Sequence, residues 1–130
     1  MKKTLFIICL SFIILSCKKN GVQPKGYIGT WEMIQTSGTI AGTTATYPKN
    51  EGNLLILNPD STYVKFVKFQ QSTQGRYHVV KNGVYWNNNT YDGIFFDGNT
   101  RADFAILKEN ELTIGNTIPD GITTLYERRR

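Results

Sequence analysis

The sequence predicts an all-β domain, built as a sandwich or a small barrel. Three observations carry that reading. No window holds an i, i+3, i+4, i+7 apolar stripe long enough for a helix. Short runs rich in Val, Ile, Thr, Tyr and Phe alternate with clusters of Asn, Asp, Gly and Pro. Those runs recur about every ten residues, the spacing of antiparallel strands joined by short turns.

In chain order, strands are expected over residues 29–36, 54–58, 62–70, 75–80, 84–87, 91–97, 102–108, 112–115 and 122–128. The turns between them have identifiable chemistry. Asn58-Pro59-Asp60-Ser61 fixes φ at the proline and offers Asx bonds from its neighbours. Asn82-Gly83 suits a tight hairpin, because both residues tolerate positive φ. Asp97-Gly98-Asn99, Glu109-Asn110 and Pro119-Asp120-Gly121 separate the later strands. The Thr- and Gly-rich segment 37–52 reads as an irregular crossover, a lid, or a connection that hides a strand around residues 43–47. Residues 64–69 carry apolar side chains and a lysine on both faces. That pattern suits a barrel wall with a lumen, or a wall docked on a partner, better than a sheet with one wet face.

Ahead of these strands lies a different kind of segment. Met1-Lys2-Lys3 is followed by an uncharged run over residues 4–17, then by Lys18 and Lys19. At 14 residues the run is short of the roughly 20 needed to cross a bilayer, and it has the basic start and compact apolar centre of a secretory signal. Residues 18–26 are polar and broken by Gly and Pro, a tether that extends at most about 30 Å. The expected organisation is a signal over 1–16, a tether over 17–26 and one domain over 27–130.

Charge and cysteine usage narrow the function. The net charge of +5 is concentrated at the ends: Lys2, Lys3, Lys18 and Lys19 at one, Arg128, Arg129 and Arg130 at the other. Residues 20–127 hold 8 Lys and Arg against 10 Asp and Glu, a balance of −2. A basic stripe across a folded face, as nucleic-acid binding requires, is not visible, so no nucleic-acid partner is expected. Cys9 lies inside the expected signal and Cys17 at its end, so the domain is expected to fold on its core without a disulfide or thiolate metal site.

Ile14-Leu15-Ser16-Cys17 resembles the lipobox of bacterial lipoproteins. The resemblance implies that Cys17 carries a diacylglycerol, that the signal is cut before it, and that the new amino terminus is acylated. One chain binds a membrane reversibly, at about 0.8 kcal/mol per buried CH₂, whereas several anchor it stably. Lys18 stands at the sorting position and is similar to the outer-membrane-sorted pattern; the acidic residues that mark surface export are missing from Lys18-Lys19-Asn20. The expected location is the bacterial envelope, at the outer membrane and facing the periplasm.

The domain itself resembles the lipocalins and the bacterial lipocalin-like lipoproteins. Gly29-Thr30-Trp31 matches a first-strand Gly-x-Trp. The leucine-rich run from Leu54 to Leu57, the turn up to Ser61 and then Thr62-Tyr63 match their strand-turn-aromatic strand. Gly75-Arg76-Tyr77, Glu111-Leu112-Thr113-Ile114 and Leu125-Tyr126-Glu127-Arg128 match later strands in the same order, so the resemblance covers most of residues 27–128. It implies a small antiparallel up-and-down β-barrel of eight or nine strands. It also implies that Trp31 packs across one barrel end with Arg128 over its ring. The chain is shorter than full lipocalins and shows no C-terminal helix pattern. An eight-stranded barrel can be filled by its own side chains or hold one small ligand.

Catalysis has little support. The single histidine, His78, alternates with Tyr77 and Val79 and is expected to face solvent. It has no cysteine nearby, and no Gly-x-Ser-x-Gly or His-Glu-x-x-His pattern exists. Asp92, Asp97 and Asp103 fall at turns without the ligand spacing of a calcium loop. The expectation is a non-enzyme with no cofactor or metal. The density of aromatics between residues 63 and 96 is the stronger signal. Tyr63, Phe66, Tyr77, Trp86 and Phe95 are the candidates to line a pocket for a small apolar or aromatic ligand. The competing reading is an interaction module, an envelope accessory subunit or inhibitor that uses its wall or loops.

Overall fold

The structure, a computed structural model, describes residues 25–38 and 41–130. The expected signal segment 1–16, Cys17 and the tether up to residue 24 lie outside the described residues.

Nine strands follow in order: β1 (Gly29–Ser37), β2 (Thr44–Thr46), β3 (Leu54–Leu57), β4 (Thr62–Val67), β5 (Gln70–Trp86), β6 (Asn89–Phe96), β7 (Asp103–Lys108), β8 (Glu111–Gly115) and β9 (Thr123–Arg128). Every pairing is antiparallel, and β9 returns to β1 along a ladder from Trp31↔Arg128 to Ser37↔Thr123. Eight strands therefore close into an up-and-down barrel, which leaves no free sheet edge around the circle. The ninth, β2, lies beside the far end of β1, with Gln35 opposite Thr46. It shares one edge of β1 with β3, which pairs with the near end from Gly29↔Leu57 to Glu32↔Leu54. The strand hidden in segment 37–52 is this β2.

Alternation along the strands sorts the side chains. Trp31, Leu55, Leu57, Tyr63, Tyr77, Ile94, Ala105, Leu112, Ile114 and Tyr126 point into the barrel and form its core. Each large side chain buried there contributes on the order of 1.5–3 kcal/mol. The opposite positions face outward. His78 is exposed, on the face away from Tyr77, and stacks on Phe95 with centroids 4.5 Å apart.

Two expected features are corrected. The strand expected over 62–70 ends at Val67, because Lys68 and Phe69 both take positive φ, 49° and 65°, and turn the chain in a two-residue hairpin. Neither residue advertises that conformation, which normally calls for Asn or Gly. Asn82-Gly83, expected to be a hairpin, instead lies inside the 17-residue β5. Asn82 does adopt positive φ, 52°, but in a bulge where the register jumps between Val80 and Val84. The carboxylate of Asp92 fixes the bulge by accepting from the Asn82 amide at 3.2 Å and from Lys81 Nζ at 2.9 Å. The true hairpin comes five residues later, at Asn87-Asn88, with φ of 47° and 59°. The turn expected at 58–61 forms as read: the Ser61 amide donates to the Asn58 carbonyl and the Thr62 amide to Asp60 Oδ1.

Candidate functional site

The two barrel ends differ in kind. One end is plugged. Residues 25–28 cross it as a turn, bringing Tyr27 to full burial beside Trp31, whose Nε1 donates to the Tyr27 carbonyl at 2.8 Å. The Arg128 guanidinium lies over the Trp31 ring, its carbon 4.1 Å from the centroid. The same group donates from Nη1 to the Ile28 carbonyl at 2.9 Å and from Nη2 to the Gly26 carbonyl. Gly29 is required beneath it: φ is 148°, and a Cβ there would sit 2.6 Å from Arg128 Nη1. The Tyr27 hydroxyl donates to Asp92 Oδ2 at 2.7 Å. Burial works against the Asp92 charge, but the bonds from Lys81, Tyr27 and Asn82 outweigh it and hold the carboxyl below its ordinary range. Burial, then Asp92, raises the Tyr27 phenol well above its usual value.

The opposite end is open. A cleft of about 160 Å³ enters the lumen between β4, β6, β7, β8 and β9. Its polar lining is Lys65, Asp103, Asn116 and Thr124, set against the rings of Phe96 and Tyr126. Larger grooves of about 300 and 430 Å³ lie on the outer surface. The larger of them is lined by two adjacent strands only, so it encloses nothing, whereas five strands converge on the lumen cleft.

Alternation puts Lys65 here: it follows Tyr63 by two on β4 and lies opposite the core residue Leu55. Its ammonium sits over the Phe96 ring, 4.6 Å from the centroid, and 5.6 Å from that of Tyr63. Burial depresses the Lys65 ammonium below its ordinary value, against the pull of Asp103 and Asp97. Asp103, opposite Ile94 on β6, is pushed up by burial, against the pull of Lys65. The two attract through the cleft, but no hydrogen bond or ion pair joins them. Asn116, just past β8, keeps a buried Oδ1 with no donor. Burial pushes the Tyr126 phenol up to about 12, with Thr124 opposing and Asp103 adding to the rise.

The five expected ligand residues do not share a cavity. Tyr63 and Tyr77 are buried in the core: the Tyr63 hydroxyl donates to Asp97 Oδ2 at 2.6 Å, and that of Tyr77 to the Asn58 carbonyl at 2.9 Å. Phe66 faces outward opposite Leu54. Trp86 stacks on Phe104, centroids 5.9 Å apart, on the outer wall. Phe95 is also outside, under His78. Of the polar residues of the cleft, the sequence points only to Asp103, and there as a turn carboxylate. The signal that could have found them is positional: Lys65 two residues from Tyr63, and Asp103 two from Ala105, are charges on inward-facing registers.

Among the described residues, no group of three or more His, Cys, Asp or Glu side chains is arranged to hold a metal ion. No protein-family model, curated protein or solved structure matches this chain.

Proposed function

We propose that this protein is an envelope-anchored, lipocalin-like lipoprotein that binds a small ligand in the open end of its barrel, without catalysis. The observation that carries the reading is the asymmetry of the barrel. One end is plugged by Tyr27, Trp31 and Arg128, while the other leaves a cleft of about 160 Å³ that reaches polar groups inside the lumen. Tyr63, Tyr77, Ile94 and Leu112 fill the middle of the lumen, so the ligand is small and sits at the mouth.

The anchor reading rests on the resemblance of Ile14-Leu15-Ser16-Cys17 to a lipobox. A lipid on Cys17 holds the chain at the periplasmic face of the outer membrane, and two or more acyl chains make that attachment stable. The described chain begins at the plugged end, opposite the mouth. Cys17→Ser tests this part: the variant is expected in the soluble fraction, and membrane retention with a processed N-terminus would overturn it.

Native mass spectrometry tests the binding part. The full chain, extracted in detergent from its own envelope, is expected to retain a small molecule at one-to-one stoichiometry. Thr124→Trp, which fills the mouth, is expected to lose it. A wild-type protein that flies bare in every preparation contradicts the reading.

A second reading, as an interaction module, is favoured by the β4–β5 hairpin tip. Val67 and Phe69 are exposed there, Phe69 at 62%, on a turn that holds Phe69 at a positive φ unusual for a bulky residue. A stoichiometric protein in the same mass spectrum, lost in Phe69→Ser, supports that reading instead.

A further inference from the structure

We propose that the open mouth receives a small zwitterion, with an anionic group set against Lys65 and N–H donors set against Asp103. The inference rests on the binding reading above and names the chemistry of that ligand.

Two charged groups of opposite sign in the cleft lack a close ionic partner. Lys65 has the faces of Phe96 and Tyr63 but no carboxylate within ion-pair distance. Asp103 accepts no hydrogen bond. Asn116 Oδ1, though without a donor, is closed to the cleft and packs against Gly121. Elsewhere the interior satisfies its polar groups with care: Asp92 takes three donors, Asp97 takes the Tyr63 hydroxyl, and Arg128 reaches two carbonyls. Leaving a buried polar group unpaired costs on the order of 1–3 kcal/mol, more for a charge. Two half-buried opposite charges without close ionic partners at one mouth define what is to fill it.

The charges decide the class. An apolar ligand would strip water from both groups and give neither a partner. A simple anion would suit Lys65 and be repelled by Asp103, and a simple cation the reverse. A ligand that carries both signs meets both. Lys65 and Asp103 both line the cleft without forming an ion pair, so a bridging molecule can meet both. The cleft, at about 160 Å³, is roughly half the lower bound of ~300 Å³ for drug-sized pockets, so the ligand is no larger than a short amino acid. Phe96, already under the ammonium of Lys65, and Tyr126 supply the apolar walls that exclude water from the bridge.

Isothermal titration calorimetry on the full chain in detergent tests the proposal. The probes are glycine, alanine, serine and γ-aminobutyrate as free zwitterions, with N-acetylalanine, alanine methyl ester, acetate and inorganic phosphate as controls. At least one free zwitterion is expected to bind. Removing its amine charge by acetylation, or its carboxylate charge by esterification, is expected to weaken binding about tenfold or more. Lys65→Met is expected to abolish the preference for free acid over ester, and Asp103→Asn the preference for free amine over N-acetyl. Because either variant can disturb the fold, the analogue series on the unaltered protein carries the test by itself. Acetate or phosphate binding as well as the zwitterions overturns the ligand class while leaving the mouth as a binding site. Failure of every probe at millimolar concentration overturns the proposal, and a small molecule still retained in the native mass spectrum then shows that the binding reading survives it.

Discussion

Arg128 holds three partners with one planar group: the Trp31 ring and the carbonyls of Ile28 and Gly26. A desolvated cation over an indole is worth up to about 2 kcal/mol, and a hydrogen bond to a charged group about 1.5–3. Arg128→Ala is therefore expected to cost about 2–4 kcal/mol in urea denaturation. Arg128→Lys restores the charge but not the fork that reaches both carbonyls, and is expected to fall between the two. A loss below about 0.5 kcal/mol for the alanine variant would show that the plug does not depend on this contact. The two half-buried carboxylates make opposite pH predictions. Asp92 has its native pKa lowered, so its contribution is complete above the ordinary carboxylate range and is lost as pH falls through the native value. Asp92→Asn is expected to flatten the acid limb of the stability curve. Asp103 has its native pKa raised, so its ionisation costs stability as pH climbs from the ordinary value through the raised one. Asp103→Asn is expected to raise the melting temperature at neutral pH while weakening ligand binding, the sign of a group kept for function rather than for the fold.

At the scale of elements, the hairpins show how turn chemistry and turn position separate. Asn87-Asn88 uses positive φ at both residues, and Asn88→Gly is expected to add about 0.5–1 kcal/mol, measured by the shift in denaturation midpoint. An unchanged midpoint would mean the turn contributes nothing to the barrel's stability. Gly75 makes the opposite case. A Cβ there would sit 1.7 Å from Asp97 Oδ1, so Gly75→Ala must push Asp97 away from the Tyr63 hydroxyl and is expected to cost about 1–3 kcal/mol. Most strands were legible because short β-branched and aromatic runs have few other ways to satisfy their backbone. What was not legible lay where tertiary contacts override local preference. Asn82-Gly83 has hairpin chemistry but is held in a bulge by Asp92, a partner ten residues from Asn82 on the next strand. Lys68-Phe69 lacks that chemistry and turns anyway, with the Phe69 amide donating to the Gly52 carbonyl and the Lys68 amide to Asn53 Oδ1. The candidate site was hidden for a related reason. Aromatic density drew attention to Trp86 and Phe95, but barrel closure turned them outward and brought Lys65, Asp103 and Asn116 together from three separate stretches of chain.

The whole molecule is a barrel with polarity. The plugged end gathers the first described residues, Trp31 and Arg128; the open end gathers Lys65 and Asp103, opposite charges with no ion pair between them. On the proposed function, that asymmetry puts binding at the open end. The most direct measurement is amide NMR on the isotope-labelled full chain, titrated with the low-molecular-mass fraction of its own periplasm. The account predicts shifts concentrated at Lys65, Phe96, Asp103, Asn116 and Thr124, with the amides around Trp31 unmoved. Shifts confined to the outer wall around His78 and Trp86, or no shifts at all, would contradict it.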